Sequence, residues 1–97
     1  MSDQALNILG LAMRAGKCID GEGRVLDALK KEKYVYIFLA KDAGDNIQKK
    51  LHDKSRYYQF PLDKTYDSET LSRAIGKQNR RVIAVCDKGF VQLLQKA

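Results

Sequence analysis

The sequence has few residues of the kinds that bind metals or cross-link a small domain. Its 97 residues include two cysteines, Cys18 and Cys86, and one histidine, His52. The cysteines form no CxxC pair, and a structural zinc site needs about four Cys or His ligands. We therefore expect no metal and no cofactor. We interpret both cysteines as reduced, buried thiols; a disulfide between them is compatible with the sequence but not required by it.

Long apolar segments are also absent. The chain starts Met-Ser-Asp-Gln, without the basic segment and apolar run of a secretory leader. No apolar stretch reaches the length of a membrane span. These absences predict a cytoplasmic protein that has no membrane partner.

What the sequence does contain is typical of a small basic domain. Apolar residues make up 44% of the chain and charged residues 31%, which is a globular composition and not a disordered one. The length fits a single domain, residues 1–97. The net charge of +6 favours a polyanionic partner, usually nucleic acid.

Helical and strand patterns alternate along the chain. Apolar spacing predicts helices over 4–15, 21–31, 45–54, 68–75 and 88–95. Runs of β-branched and aromatic residues predict strands over 17–20, 34–40, 56–60 and 81–86, with Pro61 ending the third of them. The strand at 34–40 is apolar on both faces and suits the centre of a sheet. This alternation favours an α/β/α sandwich with a mostly parallel or mixed sheet.

Two segments that combine glycine with cations lie at predicted helix ends. The first is 14–17, which leads into 21–24, and the second is 75–81. Glycine lets the backbone approach a ligand closely, and a helix N-terminus offers free N–H groups to an anion. Loops at one edge of an α/β sheet lie close together. We therefore expect the start of the second helix, the turn at 40–43 and the loop at 76–81 to meet there and contact phosphates.

Signals for an enzyme are weak. Gly21-Glu-Gly23 is half of a dinucleotide-binding motif, because Leu26 occupies the place of the third glycine. There is no Walker loop. His52 lies among charged residues of a predicted helix and is interpreted as a surface residue, while Asp42 and Asp45 suit a turn and a helix start. The sequence predicts no catalytic residues.

The chain resembles the kink-turn-binding ribosomal protein family of archaeal and eukaryotic large subunits, and in particular its bacterial YlxQ-like branch. The resemblance covers nearly the whole chain and is strongest at Leu9–Lys17, Gly21-Glu22, Leu39–Ala43, Ala74–Lys77 and Val85–Phe90. It implies a three-layer α/β/α sandwich with a central mixed four-stranded sheet. It also implies binding to structured RNA at a sharply bent internal loop with sheared G·A pairs.

The resemblance also suggests where the RNA would bind. In the family a Gly-x-Asn-Glu segment opens the second helix and a Lys follows one turn later. Gly21 matches the glycine, but Gly23 replaces the Asn, Arg24 the acidic or amide residue, and Asp27 the Lys. Gly23 lacks side-chain donors and Asp27 reverses a charge, both of which weaken kink-turn recognition. A Lys or Arg one turn further along is matched by Lys31.

The predicted interface combines these matches with the second segment. Gly21, Gly23 and Arg24 would place backbone and one guanidinium against RNA, and Gln78 and Asn79 would read base edges. Phosphate contacts are expected from Lys17, Lys31, Lys77, Arg80 and Arg81. The acid that the family has after its central strand is matched by Asp42, expected to orient a cation or accept from a base. The predicted RNA-binding residues also include Glu22, Asp27, Ile75 and Gly76.

We therefore expect a non-enzymatic, monomeric RNA-binding protein that is a ribosomal or translation-associated factor. The alternative is a protein-interaction adaptor on the same fold that has lost kink-turn recognition. Acidic residues near the start of the second helix favour that alternative, because they dilute the positive field: Asp20, Glu22 and Asp27.

Overall fold

Helices and strands alternate along the whole described chain. A computed structural model describes residues 3–97, and within this range the chain forms five helices and four strands. In chain order these are α1 (Gln4–Arg14), β1 (Cys18–Asp20), α2 (Glu22–Lys31), β2 (Tyr36–Leu39), α3 (Asp45–Tyr58), β3 (Leu62–Asp63), α4 (Ser68–Ala74), β4 (Val82–Val85) and α5 (Lys88–Lys96).

The sheet is mixed, with strand order β1-β4-β2-β3. β4 runs antiparallel to both of its neighbours, whereas β2 and β3 are parallel. Helix α2 packs on α3, and α1 packs on α4 and α5, which gives two helical layers with the sheet between them. The predicted α/β/α sandwich with a mixed four-stranded sheet is confirmed.

The core lies on both faces of the two central strands. Ile37, Phe38 and Leu39 of β2 are completely buried, and all four residues of β4 are buried as well. Consecutive burial of this kind requires helices on both sides of the sheet, because successive strand residues point in opposite directions. No helix among residues 3–97 is long and apolar enough to cross a membrane.

Aspartates start three of the helices. The carboxylate of Asp3 accepts from the N–H of Leu6, that of Asp67 from Thr70, and that of Asp87 from Phe90. Each side chain satisfies an N–H group that has no partner inside the helix. The predicted starts of α1, α4 and α5 are confirmed.

The predicted strand at 56–60 is wrong. Helix α3 continues to Tyr58. Leu51 and Ser55 are buried one helical turn apart, whereas Tyr57, near the end of the helix, is 77% exposed. This three-to-four-residue spacing packs a helix on the core, and such packing outweighs the β propensity of neighbouring tyrosines.

The third strand therefore begins after the proline and not before it. Gln59 adopts a left-handed conformation (φ 62°), and the N–H of Phe60 donates to the carbonyl of Ser55 at 2.9 Å, which ends α3. The carbonyl of Pro61 then accepts from the N–H of Ile37 at 3.0 Å. Proline can supply this carbonyl but no N–H, so it leads into the short edge strand β3.

Both cysteines are free thiols. Cys18 lies in β1 and Cys86 directly follows β4, and each is partly buried. Burial is the largest cause of their raised pKa values, about 12 for Cys18 and about 11 for Cys86. The thiols therefore stay protonated near neutral pH, and neither is a reactive thiolate.

Candidate nucleic-acid interface

The topology of the sheet brings separate loops to one edge. Because β4 is antiparallel to its neighbours, its first residue lies beside the last residues of β1 and β2. The N–H of Gly21 donates to the carbonyl of Val82 at 3.1 Å, and the N–H of Ala40 donates to that of Arg81 at 2.8 Å. The start of α2, the turn at 40–43 and the loop at 76–81 therefore meet. We call the surface formed by residues 20–24, 40–43 and 76–81 the loop edge.

Gly21 sets the direction in which α2 leaves the sheet. Its backbone has φ 96° and ψ 144°, a conformation that side-chain-bearing residues rarely adopt. Within the described chain no side chain caps α2, in contrast to α1, α4 and α5. The first N–H groups of α2 therefore point toward the loop edge and are available to an anion.

Gly23, the next glycine, is exposed in the first turn of α2. A Cβ added there would meet nothing within 4 Å. The open space above Gly23 lets a ligand approach the helix backbone closely.

Asp20 connects the two segments of the loop edge. It is the last residue of β1 and is only 8% exposed. Its carboxylate accepts from Nε of Arg80 and contacts Nζ of Lys77 at 3.3 Å through both oxygens. Nη1 of Arg24 lies 3.8 Å from Oδ1. Burial on its own would raise the pKa of Asp20, but its hydrogen bonds to Arg80 and Lys77 outweigh burial and lower the pKa below its ordinary value.

Ser72 of α4 holds the loop at 76–81 in a fixed shape. Its Oγ accepts from the N–H of Arg80 at 2.8 Å and donates to the carbonyl of Arg80 at 3.2 Å. Its carbonyl accepts from the N–H of Lys77 at 2.9 Å. The backbone turns at Gly76 (φ 70°) and at Asn79 (φ 58°). The exposed side chains of Gln78 and Asn79 therefore stand at the tip of a braced loop.

Two acids and one further cation lie on or beside the loop edge. Oε2 of Glu22 pairs with Nζ of Lys50 from α3 at 2.9 Å. Asp27 is exposed on α2, one turn beyond Gly23. The exposed Arg81 precedes β4. The surface is thus a mixture of charges, with cations from Arg24, Lys41, Lys77, Arg80 and Arg81.

Asp42 and Ile75 serve the framework. Both carboxylate oxygens of Asp42 bind Ser68 at the start of α4, one the N–H and one the hydroxyl, each at 2.8 Å. These hydrogen bonds lower the pKa of Asp42. Ile75 is 6% exposed and belongs to the core. The structure therefore places Asp42 where it fastens α4, and leaves only the backbone of Ile75 for the loop edge.

Two residues of the predicted set lie elsewhere. The carbonyl of Lys17 accepts from the N–H of Cys86, at the end of β4, and Lys31 is the last residue of α2. The three residues of β1 lie between Lys17 and Gly21, and these four steps along the strand span about 13 Å. The length of α2 separates Lys31 from the loop edge by about 15 Å. Lys17 and Lys31 therefore lie toward the opposite edge of the sheet.

Sequence reasoning missed Asp20 as a member of the site. The sequence predicts only that Asp20 dilutes the positive field, whereas the structure makes it the common partner of three cations. An acid directly before a helix-opening glycine is the available signal, but two of its three partners, Lys77 and Arg80, are about 60 residues away in the chain. Among residues 3–97 no cluster of three His, Cys, Asp or Glu side chains is placed to hold a metal ion.

Comparison with known proteins identifies relatives of the whole chain. The family model described as ribosomal protein L7Ae/L30e/S12e/Gadd45 matches residues 3–94. RNA-binding protein YlxQ of Enterococcus faecium is 40% identical over 89 residues, which is 92% of this chain and 85% of that protein. RNA-binding protein YlxQ of Bacillus subtilis is 40% identical over 87 residues, 90% of this chain and 87% of that protein.

Solved structures share the architecture. A protein of unknown function from Bacillus halodurans superposes with a TM-score of 0.91 at 39% identity, covering 98% of this chain and 96% of that one. The 15.5 kD RNA-binding protein of Giardia lamblia superposes with a TM-score of 0.79, covering 99% of this chain and 86% of that one. Its sequence identity is 16%, so this second likeness concerns the fold alone.

Proposed function

Since the chain belongs to the ribosomal protein L7Ae/L30e/S12e/Gadd45 family, we propose that it is a non-enzymatic, cytoplasmic protein that binds structured RNA through the loop edge. The observation that carries the proposal is the meeting of the uncapped start of α2 with the braced, cationic loop at 76–81. The relatives named RNA-binding protein YlxQ support the class of ligand.

Phosphates would bind where α2 begins. Its first N–H groups carry the positive end of the helix dipole, and Gly23 leaves the approach open. Arg24, whose side chain is 73% exposed, and Arg81 are free to reach phosphates on either side. Backbone donors, unlike long side chains, lose little conformational entropy when the ligand binds.

Bases would be read at the tip of the loop. The amide groups of Gln78 and Asn79 offer both donors and acceptors, and they are exposed. Proteins read RNA sequence mostly at bulges and loops, where unstacked bases present their edges. A bent RNA would let one strand lie on α2 while bases from its bulge reach residues 78 and 79.

The charge balance of the site favours a shaped RNA over a plain duplex. The five cations of the loop edge are accompanied by its three acids, Asp20, Glu22 and Asp42, and by Asp27 one turn further along α2. Such a surface attracts any phosphate chain only moderately, so RNA shape must supply much of the affinity. We therefore extend the proposal to kink-turn-like RNA of ribosomal or translation-associated origin, bound by a monomer.

The test is a binding titration against two RNAs of equal length at two salt concentrations. One RNA carries a kink-turn and the other is a plain duplex. We expect tighter binding to the kink-turn, with a weaker salt dependence than binding that rests on phosphates alone. Equal and strongly salt-dependent binding to both would replace kink-turn recognition by general RNA binding.

The adaptor alternative draws on the pairing of Glu22 with Lys50, which compensates the charge of one cation near α2. An adaptor would bind neither RNA. Its partner would also stay bound in a pull-down after nuclease treatment. Loss of every association on nuclease treatment would exclude the adaptor.

A further inference from the structure

The carboxylate of Asp20 occupies the middle of the loop edge. β1 pairs Asp20 with Ile83 of β4, so its backbone is fixed in the sheet. Its oxygens face Lys77 and Arg80 of the loop and Arg24 of α2. One nearly buried anion thus holds cations from both segments that the proposed RNA would contact.

This arrangement restrains the cations without hiding them. The side chains of Lys77 and Arg80 remain 33% and 39% exposed. Arg80 also donates from Nη1 to the carbonyl of Gln78 at 3.0 Å, which fixes the plane of the guanidinium. A guanidinium held at two points presents its remaining donors in one direction, and little rotamer entropy is lost on binding.

The same carboxylate weakens the attraction for an arbitrary phosphate chain. It compensates one positive charge at the centre of the site. A phosphate that arrives without matching geometry meets cations that already have a partner. A correctly shaped RNA can use the outward-facing donors and leave Asp20 in place.

We propose that Asp20 is a positioning residue that gives the loop edge its selectivity for shaped RNA over plain duplex. This inference rests on the proposed function. Asp20 acts through Arg80 and Lys77 and does not itself contact RNA. Its removal would relax selectivity, and general affinity for RNA would rise.

The main experiment measures affinity for the kink-turn RNA and for the duplex in wild type and in Asp20→Asn. We expect the ratio of the two affinities to fall by about tenfold, largely through tighter duplex binding, because a repulsive element is lost. The salt slope for the duplex should steepen by about one. An unchanged ratio with both affinities shifted alike would overturn the inference, since it would reveal a charge effect alone.

Asp53→Asn is the matched control. Asp53 is exposed in α3, eight residues and about 12 Å beyond the start of that helix, and its substitution alters net charge by the same amount. It should leave the affinity ratio unchanged. If Asp20→Asn does not fold, as judged by circular dichroism, Asp20→Ser is the second neutral variant.

Two further readouts test positioning. In an Arg80→Ala background, Asp20→Asn should change the affinity ratio much less than in wild type, because its main partner is gone. In the absence of RNA, hydrogen exchange at the side-chain Nε–H of Arg80, which donates to Asp20, should quicken in Asp20→Asn. Unchanged exchange would exclude a positioning role.

These outcomes separate the two proposals. Wild type that binds neither RNA would overturn the proposed function and the selectivity role with it. A wild-type protein that prefers the kink-turn, together with an Asp20→Asn variant that prefers it to the same degree, would overturn only the role of Asp20.

Discussion

The two glycines at the start of α2 have different physical reasons to be glycine. Gly21 has a backbone conformation that a Cβ would strain, although the space around it is empty. Gly23 has ordinary helical geometry and equally empty surroundings. The first is therefore required by the fold, whereas the second is free to change.

Alanine at each position should have opposite effects on stability. Gly21→Ala should lower the free energy of unfolding by about 1–3 kcal/mol, the cost of a strained backbone conformation. Gly23→Ala should raise it by about 0.5–1 kcal/mol, because alanine suits a helix better. Urea unfolding of both variants checks the prediction. Equal losses would mean that Gly23 is also constrained.

Gly23→Asn should restore a recognition group. The resemblance places Asn at this position in kink-turn-binding relatives, and the space above Gly23 accepts a side chain. We expect tighter binding to kink-turn RNA and unchanged binding to the duplex, because the new amide meets base edges and not phosphates. The titration described above measures this. A similar gain for both RNAs would argue against base recognition at residue 23.

Acid should remove the contribution of Asp20 to stability. Its pKa is lowered in the folded protein from an ordinary value of 3.8. A lowered pKa stabilises the fold above 3.8, and this contribution disappears as the pH falls through the folded value. The difference in unfolding free energy between wild type and Asp20→Asn should therefore shrink on acidification. Urea unfolding well above and well below pH 3.8 measures it, and a constant difference would contradict it.

Single residues were the least predictable level. The sequence singled out Gly21 and the cations of 77–81 as candidates, because glycine and charge have direct chemical signatures, and the structure brings these residues together. The sequence could not predict the ion pair between Asp20 and Arg80, because that pair depends on β1 and β4 becoming neighbours. The binding of Asp42 to Ser68 was hidden for the same reason.

At the scale of elements, helix starts were read correctly and one strand was not. A helix start at an aspartate followed by regularly spaced apolar residues has a local cause, because the aspartate side chain accepts from an unpaired N–H group of the first turn. The aromatic run at 56–60 has no such local cause, because its conformation is decided by what Leu51 and Ser55 pack against.

Helix α4 depends on an acid from another element. The carboxylate of Asp42, from the turn after β2, binds Ser68 through both oxygens, so Asp42→Ala should loosen the start of α4. Hydrogen exchange across residues 68–74 should quicken. Asp42→Asn, which keeps one acceptor, should have a smaller effect. Because Ser72 of this helix accepts from the N–H of Arg80, hydrogen exchange at that N–H should quicken as well. Unchanged protection of the Arg80 N–H would show that the loop is held independently of the start of α4.

At the scale of the whole molecule, cations are divided between two edges of the sheet. Arg80 and Arg81 belong to the loop edge, whereas Lys17 and Lys31 lie toward the opposite one. Alternation of helices and strands predicted the fold class. It could not predict this division, which follows from strand order and from the reversed direction of β4.

Because the cations are divided in this way, removing two of them from one edge should affect RNA binding differently from removing two from the other. Arg80→Ala with Arg81→Ala should weaken RNA binding and flatten its salt slope by about two. Lys17→Ala with Lys31→Ala removes the same charge and should change the slope by much less than the loop pair does. Titrations at several salt concentrations measure both slopes. Equal flattening would mean that the RNA spans both edges.

The position of β4 between β1 and β2 also governs the order in which the protein becomes functional during synthesis. The loop edge is closed by the bond from Gly21 to Val82 and by the contact of Asp20 with Arg80, across about 60 residues of chain. A nascent chain that has emerged only as far as α4 has the glycines and the start of α2 but lacks the strand that holds them together. The loop edge is therefore completed late, when the last strand inserts into the centre of the sheet.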